Sequence, residues 1–189
     1  MQHTVQLEGH GIRLVPVAEE HAAALQTLTD DALWAGMTKP RPVDPEEYAA
    51  HIRSQIADPG TLAFAVVEEA TGRILGSTSL YDYVPSQRRV EIGSTWYGRE
   101  FWGGRTNPAC KILLFGYAFD ELDLCRVALR CDSRNTRSAA AIQRLGAVPE
   151  GVLRAHRSAP DGTQGDTAYF SVIESEWPAV RDGLERRLA

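Results

Sequence analysis

Cysteine is scarce in this chain: Cys110, Cys125 and Cys131 make an odd number and show no Cys-x-x-Cys spacing. A disulfide framework and a structural zinc site are therefore not expected. Cys125 and Cys131 are evenly spaced in a strand-like run and read as small buried hydrophobes. The five histidines are scattered, none in His-Glu-x-x-His, so no metal is expected. Long apolar runs are missing too. Nothing approaches the roughly 18 residues that cross a bilayer, and the opening "MQHTVQLEGHG" lacks the apolar centre of a signal peptide. This reads as a soluble, cytoplasmic protein without membrane contact. A basic excess is also absent: the formal net charge is −5, which argues against a nucleic-acid partner. No Pro/Ser/Gly-rich spacer, repeat or low-complexity block divides the chain. A hydrophobic content of 43% in 189 residues supports one core, hence a single domain over 1–189.

What is present is a succession of periodic segments. "GIRLVPV" (11–17) reads as a strand, and the Ala-rich 18–36 as one helix. A second helix starts at Asp44 as N-cap, with Pro45 at its first position and Glu47 in its first turn. Strands follow at 61–70 and 73–83, joined at Thr71-Gly72 as a tight hairpin. The next strand, 88–98, places Ile92, Ser94 and Trp96 on one face, and Glu91, Gly93, Thr95 and Tyr97 on the other. Ile112, Phe115, Phe119 and Leu122 mark a helix over 108–122, with Pro108 first. Then come a strand (124–131), a helix (135–146) closed by Gly146, a strand pair around "SAPDGTQGD", and a C-terminal helix. The order β-α-α-β-β-β-α-β-α-β-β-α predicts a mixed α/β fold, antiparallel strands first and crossover helices after.

The stretch "GREFWGGRTNPACKILLFGYAFDEL" (98–122) feeds a Gly-rich, cationic loop into a helix start. Unpaired N–H groups at a helix N-terminus carry partial positive charge, and glycines let backbone approach an anion. Gly103, Gly104, Arg105, Thr106 and Asn107, ahead of Pro108, thus suit a phosphate or pyrophosphate. An ordinary strand-to-helix turn explains the loop equally well. It is neither a P-loop nor a dinucleotide Gly-x-Gly-x-x-Gly. A phosphate-binding α/β protein of another kind would prefer ATP or NAD.

The second half resembles the GNAT superfamily of acetyl-CoA-dependent N-acetyltransferases, in its RimJ/RimL-like group. The residues that carry the resemblance are "EIGSTW", the run from "WGGRTNPACKILLFGYAFDEL" through "RNTRSAAAIQRLGAVPEGVLRAHR", and "DTAYFSVIESEW". It implies a GNAT-like fold: a mostly antiparallel central sheet with splayed middle strands, helices on both faces. It implies acetyl-CoA as co-substrate, no metal, and a small-molecule amine or protein N-terminus as acceptor. Homodimerisation is a family habit. The family's loop pattern is Gln/Arg-x-x-Gly-x-Gly/Ala. Here Trp102 stands first, Arg105 where the first key Gly is expected and Asn107 where Gly/Ala is expected. If that position needs φ > 0, Arg105 carries strain; otherwise its guanidinium adds a phosphate contact. A subgroup with Asn followed by Lys at this place matches Asn107 and Lys111.

The resemblance places the pantetheine arm along 90–97, so that backbone amides near Ser94, Thr95, Trp96 and Tyr97 polarise the acetyl carbonyl. Asn135 and Ser138 lie three apart and share a side of a helix's first turn. By resemblance Asn135 contacts the pantetheine end and Ser138 protonates the leaving thiolate. The plainer readings are an N-cap for Asn135 and a solvent-facing position for Ser138. Glu91 matches a family Glu ahead of Ile-Gly and is the candidate base; a salt bridge to Arg88 or Arg89, or a water chain as base, are the alternatives. Tyr97 and His156 are further polar candidates with structural explanations. Lys111 reads as a surface charge. Arg144 reaches a 3′-phosphate or is simply solvated. A catalytically inactive GNAT-like module that binds CoA or a partner is the rival to the enzyme.

Overall fold

The computed structural model describes residues 3–159 and 162–189. Its strands are β1 (Leu7–Gly9), β2 (Ile12–Pro16), β3 (Leu62–Glu68), β4 (Ile74–Val84), β5 (Arg89–Tyr97), β6 (Arg126–Asp132), β7 (Val148–Ser158) and β8 (Gln164–Ile173). They form one sheet in the order β1-β2-β3-β4-β5-β6-β8-β7. Only β5 with β6 is parallel among the described pairs. A parallel pair needs a crossover, and α4 (Thr106–Gly116) supplies it.

Helices α1 (Ala22–Thr27), α2 (Asp31–Trp34) and α3 (Pro45–Ile56) cover one face; α4, α5 (Thr136–Gln143) and α6 (Trp177–Leu188) cover the other. β3 shows why the sheet lies between two cores. Ala63, Ala65 and Val67 pack with Leu25, Trp34 and Ile52, while Phe64 and Val66 pack with Phe115 and Leu184. No helix among the described residues is long and apolar enough to cross a membrane.

The strands, the Asp44 cap and the layered mixed sheet agree with the sequence reading; several boundaries do not. The helix expected over 18–36 is broken into a 3-10 turn (Glu19–His21), α1 and α2. Asp30 interrupts it: its carboxylate accepts from the Leu33 amide at 2.8 Å and starts α2 as an N-cap. β1 was not expected. It is three residues long and joins β2 through His10 (φ +55°) and Gly11 (φ +80°). Five residues, 69–73, connect β3 to β4 rather than a two-residue turn, and the Glu68 amide donates to the Arg73 carbonyl at 2.8 Å. The central helix begins at Thr106 rather than Pro108, and its last turn, Tyr117–Glu121, is π-helical. Cys131 is buried, but Cys125 precedes β6 and is half-buried. Within "SAPDGTQGD", Pro160 and Asp161 lie outside the described residues.

Candidate active site

The site begins where two strands part. β5 pairs with β6 only from Arg89↔Arg126 to Ile92↔Leu129. Both strands continue, β5 to Tyr97 and β6 to Asp132. From Gly93 onward the β6-facing backbone groups of β5 therefore have no strand partner among the described residues. A β-bulge lies at the parting point. Against β4, Ser77 pairs with Trp96 but Ser79 with Gly93, so β5 carries one extra residue. Ser94 absorbs it at φ +48°.

The bulge corrects the expected faces. Ile92 and Tyr97 share the α4 side, whereas Trp96 packs into the α1–α3 core. Glu91 opposes Tyr81 and shares the Trp96 side. Thr95 turns its hydroxyl toward α4. The Trp96 and Thr95 side chains are thus committed to the interior, and their backbone alone faces the opening. Ser94 is exposed.

Beyond β5, a 3-10 turn (Arg99–Phe101) leads to the loop. The Trp102 indole N–H donates to the Tyr97 carbonyl at 2.8 Å, which fixes the ring. Gly103 takes φ +74° with open space where a Cβ would stand. Arg105, at φ −75°, is helical, exposed and gives no side-chain cap to α4. The strain considered at Arg105 is therefore absent; the left-handed position falls two residues earlier. Thr106 is buried, and Asn107 Oδ1 accepts from the Tyr97 hydroxyl at 3.3 Å. These two side chains face inward, so the loop offers Gly103, Gly104, the Arg105 guanidinium and the first-turn amides.

The first turn of α5 meets this loop. Asn135 Oδ1 accepts from the Ser138 amide at 2.9 Å, so the cap reading of Asn135 holds. Its Nδ2 lies against Gly36, where a Cβ would come within 2.7 Å. Ser138 is half-buried rather than solvent-facing, with its hydroxyl beside the Cys131 thiol. Arg137, which the sequence reading passed over, lays its guanidinium 3.6 Å from the centre of the Trp102 ring. Its place two residues after Asn135 was the available signal. Arg144 sits at the other end of α5, where its carbonyl accepts from Arg187 at 3.0 Å.

Glu91 is buried in a polar row across the sheet. Its Oε1 accepts from the Tyr81 hydroxyl at 2.5 Å and forms an ion pair with Arg130, whose Nε lies 2.7 Å away. The ion-pair partner is therefore Arg130 of β6, not Arg88, which pairs with Asp123, nor Arg89, which pairs with Asp82. Parallel register explains it: Glu91 faces Ala128, two residues from Arg130 on the same side. Arg130 also donates to the Tyr169 hydroxyl at 2.9 Å, and His156 Nδ1 lies 3.1 Å from Thr167 Oγ1. Burial pushes the Glu91 carboxyl up; the Tyr81 hydroxyl and the Arg130 charge pull it back. Ser138 packs on Cys131 from the α4 side, so Glu91 and Ser138 lie on opposite faces of the sheet.

Lys111 is not a surface charge. It is 3% exposed, and its Nζ lies 2.8 Å from Thr95 Oγ1 and 3.5 Å from Thr78 Oγ1. Burial lowers its pKa to about 8. No group of His, Cys, Asp and Glu among the described residues is arranged to hold a metal ion.

Residues 12–148, more than half of the chain, match the acetyltransferase (GNAT) domain. YdaF of Bacillus subtilis (strain 168), provisionally named a ribosomal N-acetyltransferase, is 36% identical over 107 residues, covering 56% of this chain and 57% of that protein. The chain thus spans less than two thirds of the length of the curated relatives it matches. A crystal structure from T. thermophilus, provisionally described as an acetyltransferase, superposes with TM-score 0.92 at 34% identity, covering 100% of both chains. RimJ of Mycobacterium smegmatis, solved with CoA-disulfide, shares the fold at TM-score 0.79 and 19% identity, over 96% of this chain and 92% of that one.

Proposed function

The chain belongs to the GNAT acetyltransferase family, and from that premise we propose that it moves an acetyl group from acetyl-CoA to a primary amine. Transfer is direct, within a ternary complex. The observation that carries this reading is the opening of β5 from β6 beside the uncapped N-terminus of α4. An extended arm fits the first and an anion the second.

The residues present suit that co-substrate. Gly103, with space above its Cα, and the amides of 103–107 receive the pyrophosphate, joined by the exposed Arg105 and Arg137 guanidiniums. The free edge of β5 over Ser94–Tyr97 receives the pantetheine amides, with Asn135 nearby. When bound, acetyl-CoA supplies an activated acyl group. The protein must then hold the amine in line, keep it neutral, and provide for its proton and for the leaving sulfur. Glu91 takes the amine proton. Because Tyr81 and Arg130 already occupy its Oε1, a water relays that proton. Ser138, at the other side of the gap, gives a proton to the sulfur.

The relative named for ribosomal acetylation supports a protein N-terminus as acceptor, so N-terminal peptides head the test panel, with polyamines and amino acids behind them. The assay is free-thiol release from acetyl-CoA. Amine-dependent release is expected. Tight acetyl-CoA binding without release for any amine favours the binding-module reading instead.

A further inference from the structure

Lys111 is a buried cation without an anion. No carboxylate lies within 4 Å of it among the described residues; its hydrogen-bond partners are the hydroxyls of Thr95 and Thr78, themselves 2.7 Å apart. An ammonium in an apolar core normally pairs or loses its proton. The titratable group that acts on it is Cys110 on α4, itself in contact with Tyr97 of β5; burial pushes both up, so both are neutral at pH 7. β4 contributes Thr78, while β1, β2 and α6 contribute apolar residues such as Leu7, Leu14 and Leu184. Every neighbouring element leaves the charge uncompensated.

Its position is what gives that charge a use. Thr95 belongs to the segment of β5 that has parted from β6, one residue beyond the bulge at Ser94. The other cations of the gap are already engaged: Arg130 by Glu91, and Arg157 by the carbonyls of Gly36 and Met37. We propose that the Lys111 ammonium is the fixed positive charge of the active site, acting across Thr95 to favour the thiolate of CoA as it leaves. In transfer, the amine nitrogen bonds to the acetyl carbon, the C–S bond breaks with its electron pair going to sulfur, and the amine proton goes to the base. Negative charge thus develops at sulfur, beside the free edge of β5, before Ser138 passes it a proton and regains one from solvent. A cation there stabilises it, and also disfavours a protonated amine at the same place. Lys111 acts through space and through Thr95, so it is a positioning residue. Its lowered pKa agrees with the geometry: the ammonium predominates at pH 7 and is lost above about 8.

This inference rests on the reading of β5 as the pantetheine strand. Its test needs no acceptor. Reduced CoA is bound to the wild-type protein and to Lys111→Met, and the thiol is titrated by the ultraviolet absorbance of its thiolate. An opposite charge within about 4–6 Å shifts such an equilibrium by about tenfold or more. The expected result is a thiolate fraction about tenfold higher in the wild-type complex than in the Lys111→Met complex at the same pH below 8. With an acceptor in hand, kcat falls in the variant while KM for acetyl-CoA stays within a few-fold. Lys111→Gln serves as the second variant should Lys111→Met fold poorly. Superimposable titrations with CoA bound in both proteins overturn this proposal alone. Wild-type protein that does not bind CoA overturns the cofactor reading, and this proposal with it.

Discussion

Burial of Lys111 costs stability, and the cost depends on pH in a way that can be measured. Its folded pKa is about 8 against an ordinary 10.5. Below about pH 8 both folded and unfolded chains hold the proton, and the penalty is complete. Between the two values the unfolded chain binds more protons, so this group's contribution to stability rises with pH. At roughly 1.4 kcal/mol per unit, the whole effect is about 3 kcal/mol. Lys111→Met is therefore expected to be more stable than wild type at pH 7, with the gain closing by about pH 10.5. Urea unfolding of both proteins across that range checks it; a pH-independent difference would mean repacking rather than charge. Glu91 offers a second residue-scale test. Gly93 exists beside it because a Cβ there would stand 2.2 Å from the Tyr81 hydroxyl. Tyr81→Phe removes that donor at nearly constant volume. The hydrogen bond favours the carboxylate, so its loss raises the Glu91 pKa further. The acid limb of kcat/KM is expected to move to higher pH, and an unmoved limb would argue against Glu91 as the base.

At the scale of the element, the start of α4 makes a claim about Arg105. The proposed role of this exposed guanidinium at an uncapped N-terminus is a charge-assisted bond to the pyrophosphate, so Arg105→Ala is expected to weaken CoA binding by about 1.5–3 kcal/mol. Because Arg105 is helical at φ −75°, glycine restores no needed freedom there. Arg105→Gly should weaken CoA binding as much as Arg105→Ala, since both remove the guanidinium. Calorimetric titration with CoA decides; unchanged affinity would leave the holding to backbone alone. The same elements show what was legible in the sequence. Strands β2–β8 and α3 announce themselves because alternation and an Asp-Pro start are local signals, whereas three-residue β1 is too short to show alternation. The loop feeding α4 and the Asn135 cap were legible for the same reason. The break at Asp30 was hidden by apolar spacing that continues on both sides of it. The faces of β5 were misassigned because a bulge inserts one residue, and alternation cannot reveal it. The Arg130 partner of Glu91 depends on a strand register set by a crossover of about thirty residues, beyond any local pattern. Lys111 was recoverable: it lies four residues before the buried Phe115, on the same stripe.

For the whole molecule, the proposed ligand spans segments far apart in the chain: β5, the start of α4 and the start of α5, around the parallel β5–β6 pair. Where β5 and β6 part, they no longer pair with each other among the described residues, and the pantetheine amides would take up that edge. Binding to such a site stabilises the folded chain and has no counterpart in the unfolded one, so it must raise the unfolding temperature. At acetyl-CoA about a hundred times its dissociation constant the gain is roughly 2.7 kcal/mol. For a chain of this size, each kcal/mol moves Tm by about 2–4 °C, giving an expected rise of about 5–10 °C. NAD also carries a pyrophosphate and an adenosine, but has no pantetheine arm to enter the gap between β5 and β6. It is expected to leave Tm unchanged at the same concentration. Desulfo-CoA, which keeps the arm and lacks only the thiol, should stabilise nearly as well as CoA, because the thiol contributes little area. Equal shifts with NAD and acetyl-CoA would show that the α4 N-terminus binds any pyrophosphate and that the strand opening plays no part. In that case the assignment of acetyl-CoA to this site would fall.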